Sequence, residues 1–248
     1  MGDSPRDGFH VGYLAMPARH RRFLRVFVPA VMWVQVIVAA VLVFGMRDPG
    51  GGEWDTSSVR TWTGTIVADP YPRLVVGGGA GESLLLVEMG TVGLRSEVEG
   101  LIGARVEASG FLLERGGRRM IELEPGAGAL VRVGEGAGGL GNWTDLGEVT
   151  LAGEIVDFKC YLGAMKPGDG SAHRACATLC VSGGIPPVLV VDRGEGRRDH
   201  VLLARADGSR ANEQVLEWIA RRVEVTGRLR ARPGAVRLDL AAGGIRAR

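Results

Sequence analysis

The sequence is poor in aromatic residues, almost free of lysine and nearly neutral. Aromatic residues make up 6% of the chain, which leaves few rings on which the bases of single-stranded nucleic acid could stack. The formal net charge of +2 is too small to predict a polyanionic partner. These two features together argue against nucleic acid as a partner.

The motifs of several enzyme classes are also missing. The glycine run "VVGGGAGES" at 75–83 lacks the strand and helix that flank a dinucleotide-binding loop. No Ser-His-Asp set and no pair of carboxylates in an apolar setting is visible, so a hydrolase mechanism has no support. The C-x-x-C-H signature of haem attachment is absent. The sequence therefore favours a binding function over an enzymatic one.

One segment carries no charge at all. Residues 26–46, "VFVPAVMWVQVIVAAVLVFGM", lie between Arg25 and Arg47. A helix of this length spans about 30 Å, the thickness of a bilayer's hydrocarbon core, so we predict a transmembrane helix with Pro29 in its first turn. A signal peptide cleaved near "VAA" (38–40) and a buried core helix are the alternatives. The apolar run continues past "VAA" and has no polar stripe, which favours an uncleaved anchor in the lipid bilayer.

The flanking charges predict the orientation of this helix. Four arginines lie in the flank 18–25 just before it, whereas Arg47 is followed at once by Asp48. The positive-inside rule then places residues 1–25 in the cytoplasm and residues 47–248 outside it. We therefore expect a single-pass protein of a bacterial inner membrane. Its C-terminal region would lie in the periplasm or outside the cell, where thiols oxidise.

Two stretches of the exported region resemble each other. Residues 102–123 read "IGARVEASGFLLERGGRRMIEL" and residues 219–240 read "IARRVEVTGRLRARPGAVRLDL". Further upstream, "TGTIV" at 63–67 matches "AGEIV" at 152–156. Such self-similarity indicates that one structural unit occurs twice.

The pattern within each copy predicts β-structure. Apolar and polar residues alternate around a central glycine, Gly110 or Gly227, as in a bulged and half-buried strand. A glycine-containing turn and a second alternating strand follow, which predicts a hairpin. An earlier strand opens at Gly64 or Gly153, and residues 212–222 predict a short helix. This order of elements is typical of small β-barrels.

The stretches "VEASGFL" and "VEVTGRL", each followed by a hairpin, resemble the later strands of exported bacterial OB-fold domains. The resemblance implies a mainly β protein with two tandem OB-like barrels after the transmembrane helix. Small SH3-like barrels would show a similar pattern. The expected segments are a linker at 47–58, a first barrel at 59–134, a Gly-rich linker at 135–147 and a second barrel at 148–248.

The second copy is longer than the first by 28 residues between its aligned glycines. Most of the excess lies in an insertion at about 157–190. This insertion holds all the cysteines, both lysines of the chain and one of its four histidines. Loops on a rigid β-scaffold often carry binding groups, so the insertion is the candidate site.

The insertion predicts a helix that starts at Ser171 or Asp169 and stops at Gly183–Gly184. Three potential ligands would share one face of that helix, because they follow one another at i, i+3 and i+7. They are His173, Cys176 and Cys180. Cys160 ends the preceding strand, and the turn "MKPGDG" with Met165 beside it can bring Cys160 back to that face.

Three interpretations of this cluster stay open. Three cysteines and a histidine suit tetrahedral Zn²⁺, and cysteine with methionine suits Cu(I). The second interpretation is a thiol–disulfide exchange protein, since Lys159 and His173 would favour a nearby thiolate. The third is a structural disulfide between Cys160 and either Cys176 or Cys180, which would stabilise the loop by about 3 kcal/mol.

The insertion as a whole resembles segments of exported bacterial proteins, a resemblance that implies no assigned activity. We predict a membrane-anchored, extracytoplasmic binding or accessory subunit. Its expected partners are other subunits of an envelope complex, including respiratory ones. The alternatives are a thiol–disulfide redox protein and a purely structural, partner-binding protein.

Overall fold

The structure is a computed structural model that describes residues 16–45, 51–77, 82–94, 96–137, 140–194 and 198–248. The chain divides into two units, Met1–Asp48 and Pro49–Arg248. The described residues of the first unit, 16–45, contain one helix. The second is mainly β, and we call its residues 51–137 the first half and its residues 140–248 the second half.

Helix α1 (Ala18–Gly45) is apolar over most of its length, and none of its residues is buried. By length and composition it is able to cross a membrane. Met46, the last residue of the predicted span, lies outside the described residues. The helix begins within the arginine-rich flank, so Pro29 lies in its interior and not in its first turn as predicted. Pro29 has no N–H to offer the carbonyl four residues before it.

Six strands build the first half. They are β1 (Glu53–Ala68), β2 (Pro72–Val76), β3 (Glu82–Val87), β4 (Ala104–Arg115), β5 (Arg118–Leu123) and β6 (Leu130–Glu135). The sheet order is β1-β2-β3-β5-β4-β6, and β1 also pairs with β4. The β3–β5 pair is parallel and the other pairs are antiparallel. A short helix, α2 (Ser96–Glu99), lies between β3 and β4.

The second half is a closed barrel of five strands. They are β7 (Thr144–Asp157), β8 (Pro187–Asp192), β9 (Arg198–Ala204), β10 (Arg222–Arg232) and β11 (Ala235–Ala247). Each strand pairs as its counterpart in the first half does, and β9–β11 is again the parallel pair. Helix α4 (Asn212–Val215) and the 3₁₀ turn Leu216–Trp218 connect β9 to β10.

The segment between β7 and β8 has three short helical pieces. A π-helical turn covers Cys160–Ala164, a 3₁₀ turn covers Ser171–His173, and helix α3 covers Arg174–Ser182. Gly183 caps α3, and Gly184 follows it with a positive φ of 106°. The chain can reverse there because glycine has no Cβ to clash in that conformation.

Four glycines that align between the two copies are needed at their positions for the same physical reason. Each lies where the carbonyl of a partner strand passes so close that a Cβ atom would overlap it. They are Gly64 against Val75, Gly110 against Glu122, Gly153 against Val190 and Gly227 against Asp239. The repeat in the sequence therefore marks the points of closest approach between strands.

Strands β1 and β7 begin earlier than the sequence predicted. Strand β1 starts at Glu53 within the predicted linker 47–58, and β7 starts at Thr144 within the predicted linker 135–147. The added residues pair with the ends of the long hairpin strands, Glu53 with Glu114 and Thr144 with Ala231. This pairing satisfies the backbone N–H and C=O groups of residues that composition alone had placed in linkers.

The two halves share one hydrophobic cluster. Its members from the first half are Tyr71, Leu85, Val87, Leu113 and Met120, and those from the second include Phe158, Tyr161, Leu162, Val188 and Leu202. The insertion supplies the middle of this cluster. Part of the insertion is therefore buried between the halves, while residues such as Met165 and Leu179 stay exposed.

We expect Gly110→Ala to lower the free energy of unfolding by about 1–3 kcal/mol, because its Cβ would push β4 away from the carbonyl of Glu122. Gly134→Ala is the matched control: Gly134 also lies in a strand, but a Cβ there meets nothing within 4 Å. Denaturant unfolding of the full chain in detergent measures both. Equal stability of the two variants would contradict the close approach.

Candidate functional site

The three cysteines lie together although 16 residues separate the first from the second. Cys160 follows β7, while Cys176 and Cys180 stand one turn apart on α3. The Sγ atoms of Cys160 and Cys180 are 3.9 Å apart. All three Sγ atoms lie within 4.8 Å of one another. Cys160 and Cys180 are buried, and Cys176 is half-buried.

A histidine and an aspartate adjoin this sulfur cluster. His173 Nε2 lies 3.0 Å from Asp157 Oδ2, and Asp157 Oδ1 accepts the backbone N–H of Cys160 at 2.8 Å. Asp157, Cys160 and His173 each place a ligand atom within 4.8 Å of the others. All three residues are buried, and Cys160 belongs to both groups.

Sequence reasoning missed Asp157. The available signal was an aspartate at the end of an apolar strand, three residues before the first cysteine, in "GEIVDFKC". An unpaired buried carboxylate would be strongly unfavourable. Such an aspartate therefore requires a partner, and here the partner is His173.

The contacts among the thiols shift the pKa values of the three cysteines in different directions. The hydrogen bond with Cys180, together with burial, raises the pKa of Cys160. Hydrogen bonding with Cys160 lowers the pKa of Cys180. Burial raises the pKa of Cys176. Cys180 is thus the sulfur most easily ionised, and Cys160 holds its proton.

The hydrogen bond to Asp157 raises the pKa of His173 against the opposing effect of burial. The positive charge of the imidazolium and the negative charge of the carboxylate therefore neutralise each other inside the protein. When the ring is neutral and Nε2 carries its proton, Nδ1 is the nitrogen left for a metal. A histidine held by a carboxylate through its other nitrogen is the usual support of a metal ligand.

The sulfur spacing fits a shared metal ion. Two thiolates bound to one tetrahedral ion at about 2.3 Å each stand about 3.8 Å apart, close to the observed 3.9 Å. A disulfide requires about 2.05 Å. The three cysteines are free thiols, so the structure contains neither of the two pairings expected for a staple, Cys160 with Cys176 or with Cys180.

Four of the five predicted ligands lie close together, because Cys160 is near both the other two cysteines and His173. The fifth, Met165, lies on the surface with 47% of its area exposed. Its backbone N–H points to the carbonyl of Cys160 at 3.4 Å. The turn that contains Met165 thus closes on the cysteine segment through its main chain.

Lys159 acts on the thiols only weakly, because its ammonium group is held by other acceptors. Its ammonium group bonds to Glu122 Oε1 at 2.5 Å and to the carbonyls of Glu88 and Gly90 at 3.0 and 2.6 Å. These acceptors use all three of its donors, and all belong to the first half. The charge of Lys159 lowers the pKa of Cys180, as predicted, but by less than the hydrogen bond with Cys160 does.

Other contacts hold the insertion at both ends. Arg115 Nη1 donates to the carbonyl of Tyr161 at 2.9 Å, and the Arg115 guanidinium lies 3.9 Å over the Tyr161 ring. The N–H of Gly93 donates to the carbonyl of Gly183 at 3.1 Å. Asn212 Nδ2 donates to the carbonyls of Val181 and Ile185, each at 2.8 Å. The cysteines therefore stand on a rigid support, as a preorganised binding site requires.

No protein-family model, no curated protein and no solved structure matches this chain. Function is therefore inferred from the chemistry of the site. That chemistry consists of three sulfur ligands and a histidine–aspartate pair, gathered where the two halves meet.

We expect Lys159→Met to lower the free energy of unfolding by about 3–5 kcal/mol, because it leaves Glu122 buried without a compensating charge. The double variant Lys159→Met, Glu122→Leu removes both charges and should recover most of the loss. Denaturant unfolding of the full chain in detergent measures both variants. A double variant no more stable than the single one would show that the pair is not the cause.

Proposed function

We propose that this chain is a membrane-anchored, extracytoplasmic metal-binding protein that acts as an accessory subunit. Cys160, Cys176 and Cys180 would hold one ion, with His173 and Asp157 beside them. The observation that carries the proposal is the convergence of three Sγ atoms within 4.8 Å of one another. Thiolates at this spacing suit ions that prefer sulfur.

The ligand set favours a d¹⁰ ion, Zn²⁺ or Cu(I). Three thiolates alone suit Cu(I), whereas a tetrahedral Zn²⁺ site requires a fourth ligand. His173, which is grouped with Cys160 but not with all three sulfurs, would have to move towards the ion to supply it. Charge favours Zn²⁺, because three thiolates leave a net charge of −1 around Zn²⁺ and −2 around Cu(I). The surroundings are largely buried, so the smaller residual charge costs less to desolvate.

A second candidate function is thiol–disulfide exchange. The observation that favours it is the lowered pKa of Cys180 beside the Cys160 thiol. Two-electron oxidation by a partner disulfide would join these two sulfurs and reduce the partner to two thiols. The burial of both sulfurs argues against it, because exchange requires access to the attacked sulfur.

We infer that both halves are OB-like barrels in tandem and that the chain resembles exported bacterial OB-fold domains. The support is the shared set of pairings, in which the first, second, third, fifth and fourth strands of each half form a ring back to the first. The short helix between the third and fourth strands occurs in both halves. This order matches the five-stranded Greek-key barrel of an OB-fold.

We infer a single-pass position in a bacterial inner membrane. Residues 26–46 would contact the lipid bilayer, with the N-terminus in the cytoplasm. The apolar helix α1 and the arginines that precede its apolar part support this. The partners we propose are other membrane or respiratory-complex subunits, with no role for nucleic acid.

We expect the full chain, reduced and in detergent, to bind one equivalent of Zn²⁺ or Cu(I) and to protect its thiols from alkylation when loaded. Separate titrations with the two ions decide between them. Cys180→Ser should weaken binding by at least about 100-fold and Asp157→Asn by about 10- to 100-fold. Met165→Leu is the control and should bind as the unaltered chain does. Failure to bind either ion, or full binding by Cys180→Ser, would reject the metal site.

We expect alkaline phosphatase fused after Arg248 to be active in bacterial cells, because it folds only when exported. A green fluorescent protein at the same position should stay dark. Reversing the charges of Arg19, Arg21, Arg22 and Arg25 to glutamate should lower the phosphatase activity, because these residues set the orientation. A bright fluorescent fusion and an inactive phosphatase would place the C-terminal region in the cytoplasm.

A further inference from the structure

A concave site separate from the sulfur cluster lies between the two halves. It is a cleft of about 140 Å³ lined by Arg73, Arg118 and Arg119 from the first half and by Phe158 and His200 from the second. We call it the arginine cleft. None of the three cysteines lines it, so its chemistry is separate from that of the sulfur cluster.

The strands bring these cations together from two directions. Arg73 comes from β2, and the β4–β5 hairpin supplies Arg118 and Arg119. Arg73 is 5% exposed, and its Nη1 donates to Ser83 Oγ at 3.3 Å. Its Nε is buried without a hydrogen-bond partner among the described residues. A buried donor without an acceptor is unfavourable, so a ligand that accepts from this group would stabilise it.

The positive charge of the arginine cleft is not fully compensated. Among the described residues, neither Arg73 nor Arg118 has a carboxylate in salt-bridge contact. Burial and the charges of Arg232, Arg118 and Arg237 lower the pKa of Arg73 to about 9. Asp69 opposes this shift but is itself bound by Arg232 and Arg237, each at 2.8 Å.

Among the described residues that line the cleft, one, Glu82, carries a carboxylate. Glu82 is bound to Arg119 at 3.1 Å and is 44% exposed at its side chain. This pair neutralises Arg119 and leaves the charges of Arg73 and Arg118 available.

His200 adds a neutral polar group to the lining of the arginine cleft. Burial and the charges of Arg118 and Arg115 lower the pKa of His200 to about 4, so its imidazole is uncharged at neutral pH. Its Nε2 is buried and has no hydrogen-bond partner in the described part of the chain. A neutral imidazole can place its proton on Nε2 and donate it to an anion.

We propose that the arginine cleft binds a compact oxyanion with more than one negative charge, of the phosphate or sulfate class. The donors are the guanidinium groups of Arg73 and Arg118, the His200 imidazole and the Ser83 hydroxyl. Guanidinium groups bind such oxyanions through paired, charge-assisted hydrogen bonds. The apolar side chains beside them, Leu85, Phe158, Val188 and Leu202, lower the local dielectric and strengthen the attraction.

The size of the cleft limits the ligand. At about 140 Å³ it is smaller than the roughly 300–1,000 Å³ of pockets that enclose drug-sized molecules. It therefore suits a free ion or one anionic group and not a whole nucleotide. Since the cleft lies between the halves, its ligand would also link them.

Calorimetric titration of the full chain in detergent with sodium phosphate, at constant chloride, tests the proposal. We expect one phosphate per chain and at least about tenfold weaker binding by Arg118→Gln. Arg228→Gln is the matched control, because it removes the same charge from an exposed arginine that pairs with Asp145. Cys180→Ser should keep the phosphate affinity, so the outcome is independent of the proposed metal site.

Two further measurements sharpen this test. Acetate should bind at least about tenfold more weakly than phosphate, because it carries less charge. Phosphate should also shift the imidazole NMR signals of His200 in the unaltered chain, which requires no variant to fold. Absence of phosphate binding, equal affinity for acetate, an equal loss in Arg228→Gln or unmoved His200 signals would each overturn the proposal.

Discussion

The buried ion pair between Lys159 and Glu122 determines where the cysteine segment lies. The ammonium group satisfies all three donors on acceptors of the first half, although Lys159 belongs to the second. Neither charge reaches solvent, so the pair persists only while the halves stay packed together. Cys160 follows Lys159 directly. The position of the first sulfur therefore depends on an interaction made across the interface.

The duplicated scaffold and the single insertion play different parts. The aligned glycines allow strands to cross at close range in both halves, which gives each half its compact ring of pairings. The insertion fills the space between these rings with Phe158, Tyr161 and Leu162. The residues that carry the candidate chemistry are therefore also part of the hydrophobic core. Loss of packing there would disturb the sulfur cluster as well as the fold.

Two sites of opposite character flank the same short segment. On one side, Cys160 meets the sulfurs of α3 and the Asp157–His173 pair. On the other, Phe158 forms a wall of the arginine cleft. Soft, anionic sulfur ligands and hard, cationic guanidinium groups attract different partners. The two proposed sites at the interface between the halves would therefore not compete for the same ligand.

The features that depend on local pattern could be predicted from the sequence alone. The apolar run predicted helix α1, the alternating segments predicted the β4–β5 and β10–β11 hairpins, and the cysteine spacing placed Cys176 and Cys180 on one face of a helix. Three-dimensional packing was needed to establish the starts of β1 and β7, the role of Asp157, the partner of Lys159 and the arginine cleft. Each of these depends on a residue distant in the chain, as Lys159 and Glu122 show. Periodicity and propensity describe neighbours along the chain, whereas buried charges are matched across space.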